Sequence, residues 1–109
     1  MIKQGDIIRL NFSPVIGHEQ TGYRPAVIVS NDFTMSQTNL AFVCPITSAV
    51  KDSPLRVSLD DRTQTRGDVL CAQMRAIDLE TRSYSKIEQL PEDLLCEVID
   101  IVAGMIEVW

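Results

Sequence analysis

The run Pro25-Ala26-Val27-Ile28-Val29-Ser30 is almost continuously apolar and is headed by a proline. Lacking the alternation of a half-exposed strand, it predicts a β-strand buried on both faces. Pro25 has no N–H for a ladder and is expected only at the first position of that strand. The segment before it, residues 6–12, does alternate: Ile8, Leu10 and Phe12 share one face, opposite Ile7, Arg9 and Asn11. A loop over residues 13–23, punctuated by Pro14, Gly17 and Gly22, joins the two. A polar connector over 31–39 leads into a further apolar segment, 40–47. Shorter strands fit 55–59, 68–73 and 84–89, with a turn at Asp60-Asp61-Arg62 and a brief helical turn over 75–81. Short strands joined by turns predict an antiparallel barrel or half-open roll.

The tail has a different period. From Pro91, the residues Leu95, Val98, Ile99, Val102 and Ile106 form one apolar stripe, with Asp93, Glu97, Asp100 and Glu107 on the other side. Pro91 suits a first helical turn, and Glu92 and Asp93 complement the positive end of the helix dipole. Gly104 within it costs about 1 kcal/mol against alanine, so a close packing contact is expected there. The fold class is therefore mainly β with α, an antiparallel barrel closed by a C-terminal amphipathic helix, in one domain spanning 1–109.

At 109 residues the chain has room for one core, and 45% hydrophobic with 23% charged residues argues for a packed interior. The polar opening Met1-Ile2-Lys3-Gln4-Gly5-Asp6 does not read as a signal peptide, and the apolar stretch 101–106 is too short to span a bilayer. Cys44, Cys71 and Cys96 are odd in number with no CxxC pair, and read as reduced, mostly buried thiols of a cytoplasmic protein. The net charge of −5 argues against a nucleic-acid partner, but its distribution is uneven. Residues 1–59 hold five basic and four acidic side chains, whereas 60–109 hold five basic and eleven acidic ones. The N-terminal half is thus free to form a locally positive groove, and the candidates for a basic patch are Arg9, Arg24, Lys51 and Arg56 with Arg75 from the other half.

Several chemistries fall away. His18 is the only histidine, so a two-histidine nuclease is impossible. No zinc spacing, phosphate-binding glycine loop or convergent carboxylate set is visible, and no metal or other cofactor is expected. Three segments stand out: the polar loop Gly17-His18-Glu19-Gln20-Thr21-Gly22-Tyr23-Arg24, the strand end Pro45-Ile46-Thr47-Ser48, and the block 67–78. An arginine beside a hydroxyl can grip a phosphate and stabilise charge building on it. From chemistry alone the bland alternative stands beside this: Arg24 in a surface turn, Thr47 and Ser48 at a loop exit.

Those three segments, in this order, resemble the MazF/PemK family of toxin ribonucleases. The resemblance runs from Gly5-Asp6-Ile7 and Asn11-Phe12-Ser13-Pro14 through Arg24-Pro25 and Pro45-Ile46-Thr47-Ser48 to the block 67–78 and the terminal helix. It implies an SH3-like barrel, usually a homodimer, acting as a sequence-selective, metal-independent endoribonuclease on single-stranded RNA and inhibited by a cognate antitoxin. The family's catalytic arginine and threonine fall on Arg24 and Thr47, and RNA contacts are expected from His18, Glu19, Gln20, Tyr23, Ser48 and Arg75. The implied reaction is attack of the RNA 2′-OH on the adjacent phosphorus.

Two departures stand out. Many members carry an acidic residue where this chain has Ala72, and some an arginine where it has Leu70. Arg75 and Asp78 match the family pattern, with a structural ion pair or turn as the alternative to RNA contact. His18 either touches RNA or orders its loop with Glu19. Tyr23 and Phe33 either stack bases or serve packing and loop anchoring, and Trp109 has a dimer contact as one candidate role. A gyrase poison of the CcdB type and a non-catalytic SH3-like binding module are the rival functions.

Overall fold

The computed structural model describes residues 1–12 and 22–108. The expectations for His18, Glu19, Gln20 and Trp109 lie outside the described residues. Within them the chain forms β1 (Asp6–Asn11), β2 (Tyr23–Ile28), α1 (Asp32–Thr38), β3 (Leu40–Thr47), β4 (Arg56–Ser58), β5 (Asp68–Leu70), a 3₁₀ turn (Cys71–Gln73), β6 (Arg75–Asp78), β7 (Tyr84–Gln89) and α2 (Glu92–Met105).

The strands join one seven-stranded sheet in the order β4-β5-β3-β2-β1-β7, with β6 also on β3. Among the described residues this sheet is not closed, since β4 and β7 end it without pairing to each other, so half-open roll describes it better than barrel. β3 organises it. One side pairs with β2; along the other, β3 pairs with β6 over Leu40 to Val43 and with β5 at Ile46 and Thr47.

Alternation then sorts the side chains onto two faces. Ile7, Val27, Cys44, Ile46 and Val69 join one core cluster, and Ile8, Leu10, Ala26, Ile28 and Val43 the other. The apolar run in β2 is therefore buried on both faces, as its composition predicts. α2 covers the first cluster with Leu94 and Val98, each contributing about 1.5–3 kcal/mol by burial. Its buried stripe is centred on Leu94, Val98 and Ile101, flanked by Leu95 and Val102. The expected stripe was displaced toward Ile99 and Ile106; Ile106 is exposed and caps the helix. Gly104 has nothing within 4 Å of its would-be Cβ, so no packing contact explains it. Cys96 is exposed on this helix, unlike Cys44 and Cys71.

Four local expectations fail, the first being the strand over 68–73, which ends at Leu70 and passes into the 3₁₀ turn. The connector 31–39 contains α1, started by the Asn31 side chain accepting from Thr34 N–H at 2.9 Å and ended by Asn39 in the left-handed region at φ 57°. Only Met35 of α1 is buried, so no apolar period announces it, and Phe33 is 72% exposed rather than packed. Residues 75–78 are strand, not helical turn, because the first half of β3 needs a partner. Pro25 is the third residue of β2, not the first.

Candidate active site

That position of Pro25 shapes the site. β2 and β3 pair through Ile28↔Val43, Val27↔Cys44 and Ala26↔Pro45. The same register carried two residues further sets Arg24 opposite Thr47. The ladder stops short of them, since neither Pro25 nor Pro45 has an N–H to extend it. These strand ends, not paired to each other, border a cleft of about 270 Å³ lined by Phe12, Arg24, Pro45, Ile46, Thr47, Leu70, Gln73 and Arg75.

Each polar group in it has a defined state. Arg24 is exposed and makes no hydrogen bond or ion pair among the described residues, so its guanidinium is free to take an anion. Arg75 enters from β6 with its guanidinium 5.5 Å from the centre of the Phe12 ring, a cation–π contact that restrains it. Thr47 is half-buried, and its Oγ1 accepts from Ala49 N–H at 3.2 Å. With a lone pair so occupied, the hydroxyl proton remains available to donate into the cleft. Behind Thr47 lies Gly67 at φ 121°, where an added Cβ would stand 2.0 Å from the Thr47 carbonyl oxygen. Only glycine permits that approach.

Among the described residues no carboxylate or imidazole lines the cleft, and no three His, Cys, Asp or Glu side chains gather as a metal site. No thiol lines the cleft either, and burial pushes Cys44 up to about 12 and Cys71 up to about 11. The site can therefore offer two positive charges and a hydroxyl donor to a phosphate, and an amide, Gln73, beside them. A larger cavity of about 560 Å³, lined by Ile2, Met35, Leu79 and Tyr84 among others, shares no residue with this cleft and sets its one lysine, Lys3, beside the carboxylates of Asp32 and Glu80.

The structure thus brings together Arg24, Thr47 and Arg75 from three separate strands. Tyr23 and Ser48 are exposed but outside the lining, Tyr23 lying under the Arg9 guanidinium at 5.4 Å. Arg75 has no ion pair with Asp78; Asp78 instead accepts from Glu80 N–H at 2.9 Å, a turn role. Arg56 is committed to Asp68 at 3.2 Å and adds no free charge to a basic groove. Phe12 and Gln73 were not singled out as site residues from the sequence. A 3₁₀ turn has three residues per turn, so Leu70 and Gln73 fall on one side of it, but that signal needs the turn to be known first. Leu70 lines the cleft, so the departure from an arginine there alters the site itself, whereas Ala72 is exposed outside the lining.

No helix among the described residues is long and apolar enough to cross a membrane. Residues 3–106 match the family profile of the PemK-like, MazF-like toxin of type II toxin–antitoxin systems. The endoribonuclease PemK of Escherichia coli is 35% identical over 102 residues, covering 90% of this chain and 77% of that protein. MazF of Deinococcus radiodurans superposes with a TM-score of 0.83 at 34% identity, over 95% of this chain and 94% of that one. A chain from the MazE–MazF crystal structure of the same organism gives 0.83 at 28% identity, over 99% and 97%. With a profile spanning nearly its whole length, a curated relative above 30% identity and the same fold in solved structures, the chain belongs to the PemK-like, MazF-like toxins of type II toxin–antitoxin systems.

Proposed function

We propose that this endoribonuclease cuts single-stranded RNA, such as mRNA, without a metal ion, gripping one phosphodiester between Arg24 and Thr47. The observation that carries the reading is that a guanidinium without a partner among the described residues, Arg24, shares a cleft with the Thr47 hydroxyl and a second guanidinium, Arg75. The ribose 2′-oxygen bonds to the adjacent phosphorus as its proton leaves, and the bond from phosphorus to the 5′-oxygen breaks. The products are a 2′,3′-cyclic phosphate and a 5′-OH, the leaving oxygen taking up a proton. Arg24 neutralises the pentavalent intermediate, and Thr47 donates to a non-bridging oxygen. One such donor typically supplies about 10²–10³ in rate. The described lining holds no base, which leaves the 2′-OH proton to solvent or to His18. Dependence on the 2′-OH also selects RNA over DNA.

Sequence selectivity falls to the rim: Tyr23, Ser48, Arg75 and the loop bearing His18, Glu19 and Gln20. A cognate antitoxin binds it, by likeness to the MazE–MazF assembly, and an acidic segment is the chemistry that suits a cleft holding two guanidinium groups. The toxin acts as a homodimer in the cytoplasm, where its reduced thiols are at home. The test is to incubate the protein with a long transcript in EDTA, map the new ends, and repeat with Arg24→Ala and with 2′-deoxy substitution at the scissile nucleotide. Both changes are expected to abolish cutting; unchanged cleavage after either sinks the scheme. A gyrase supercoiling assay should show no inhibition.

A further inference from the structure

Asp68 is fully buried, and a carboxylate at that depth is rare unless partnered. It stands opposite Thr47 in the β3–β5 ladder. Its Oδ1 accepts from Ser58 Oγ at 2.9 Å, and its Oδ2 from Lys51 N–H at 3.0 Å and Arg56 Nη1 at 3.2 Å. Arg56 Nη1 also donates to the Ala49 carbonyl at 2.8 Å. Ala49 N–H in turn donates to Thr47 Oγ1 at 3.2 Å. The contacts therefore run unbroken from Asp68 through Arg56 and Ala49 to the Thr47 hydroxyl, and Ala49 is held by both of its backbone polar groups.

We infer that Asp68 and Arg56 are positioning residues that, through Ala49, aim the Thr47 hydroxyl proton at the RNA phosphate. This rests on the reading of Thr47 as a phosphate ligand. Stability alone is a poor account of the pair, because a well-packed apolar pair serves a core as well as a buried ion pair does. An apolar pair, however, offers no donor to the Ala49 carbonyl and leaves the segment after Thr47 free to turn. Burial pushes the Asp68 carboxyl up, but hydrogen bonds from Lys51 N–H, Ser58 and Arg56 outweigh it and hold the group below its ordinary range. The anchor is thus charged wherever the toxin works. Because Asp68 neutralises it, Arg56 adds nothing to the salt-dependent attraction of RNA.

The test is a double-mutant cycle on the full chain, using a labelled oligonucleotide that spans a site first mapped on a long single-stranded transcript. Thr47→Val is expected to lower kcat about a hundredfold. Arg56→Gln is expected to lower kcat about tenfold through misplacement, with the salt slope of binding retained because Arg56 lies outside the cleft lining. On the Thr47→Val background Arg56→Gln should cost nothing further, since the group it positions is gone. A full Arg56→Gln loss on that background overturns the positioning role. Wild-type kcat in Thr47→Val instead overturns the phosphate-ligand reading beneath it. Asp68→Asn, which keeps an acceptor for Lys51 N–H, replaces Arg56→Gln in the same cycle if the latter loses its native circular dichroism.

Discussion

Replacing Gly67 by alanine adds one methyl group at the back of the cleft. The backbone there has φ 121°, a region in which an L-residue is strained by about 1–3 kcal/mol. The new Cβ would lie 2.0 Å from the Thr47 carbonyl oxygen, 2.8 Å from its carbon and 3.1 Å from Ser48 Cα. Carbon and oxygen come no closer than roughly 3 Å without serious repulsion, so Thr47 must retreat by about 1 Å. Thr47 is paired to Asp68, and that retreat weakens the end of the β3–β5 ladder. Strain and lost ladder contacts together come to about 3–5 kcal/mol, a large share of a small domain's stability. A shift of about 1 Å at the phosphate ligand also lowers cleavage by up to about a hundredfold. Urea denaturation followed by circular dichroism, beside RNA cleavage in EDTA, reads both effects. Gly104→Ala is the control: nothing lies within 4 Å of its Cβ, and in a helix it should stabilise by about 1 kcal/mol with activity unchanged. If Gly67→Ala keeps the wild-type urea midpoint and cleavage rate, Thr47 is not held in the way described.

Acid should erode stability in a defined window. Burial raises the carboxyls of Asp68 and Glu88, but their hydrogen bonds outweigh it and hold both below the ordinary values of 3.8 and 4.5. A folded-state value lower than the unfolded one gives stability that is full above the unfolded value and lost as pH falls toward the folded one. The urea midpoint should therefore hold steady above neutral-to-mildly-acid pH and fall below about 4.5, with Glu88→Gln flattening the start of the fall; a midpoint unchanged down to pH 3 contradicts this. Exposed Cys96 should react with an aromatic disulfide reagent in the native protein, and all three thiols only after denaturation; rapid native reaction of Cys44 or Cys71 counts against their burial. Leu70→Arg puts a cation into the cleft lining, so the log–log salt slope for binding an uncleavable 2′-deoxy oligonucleotide should steepen by about 0.7, read by fluorescence anisotropy. An unchanged slope places Leu70 away from bound RNA.

How legible each part was in the sequence follows from which force forms it. β3 is legible over its full length, and β1, β2 and α2 within a residue or two, because each shows its own period or apolar run; β7, exposed over most of its length, shows neither. α1 was not, since capping by Asn31 and Asn39 forms it and only Met35 is buried. β6 was not, because Ile77 is its single buried side chain and its strand geometry comes from pairing with β3. The face of α2 was misjudged by part of a turn: the apolar residues are spread widely enough that the underlying cluster of Val57, Val69 and Cys71, not the helix, selects Leu94, Val98 and Ile101. For the site, the sequence by itself determined the chemical types, Arg24 next to Pro25 and Thr47 near Pro45, and through family resemblance their roles. What only the tertiary structure decided is that they meet. Their opposition depends on the register between β2 and β3, and the two prolines end that ladder just short of them. Phe12, Leu70, Gln73 and Arg75 reach the same cleft from other elements, so their convergence is a property of the ladder and not of any one segment.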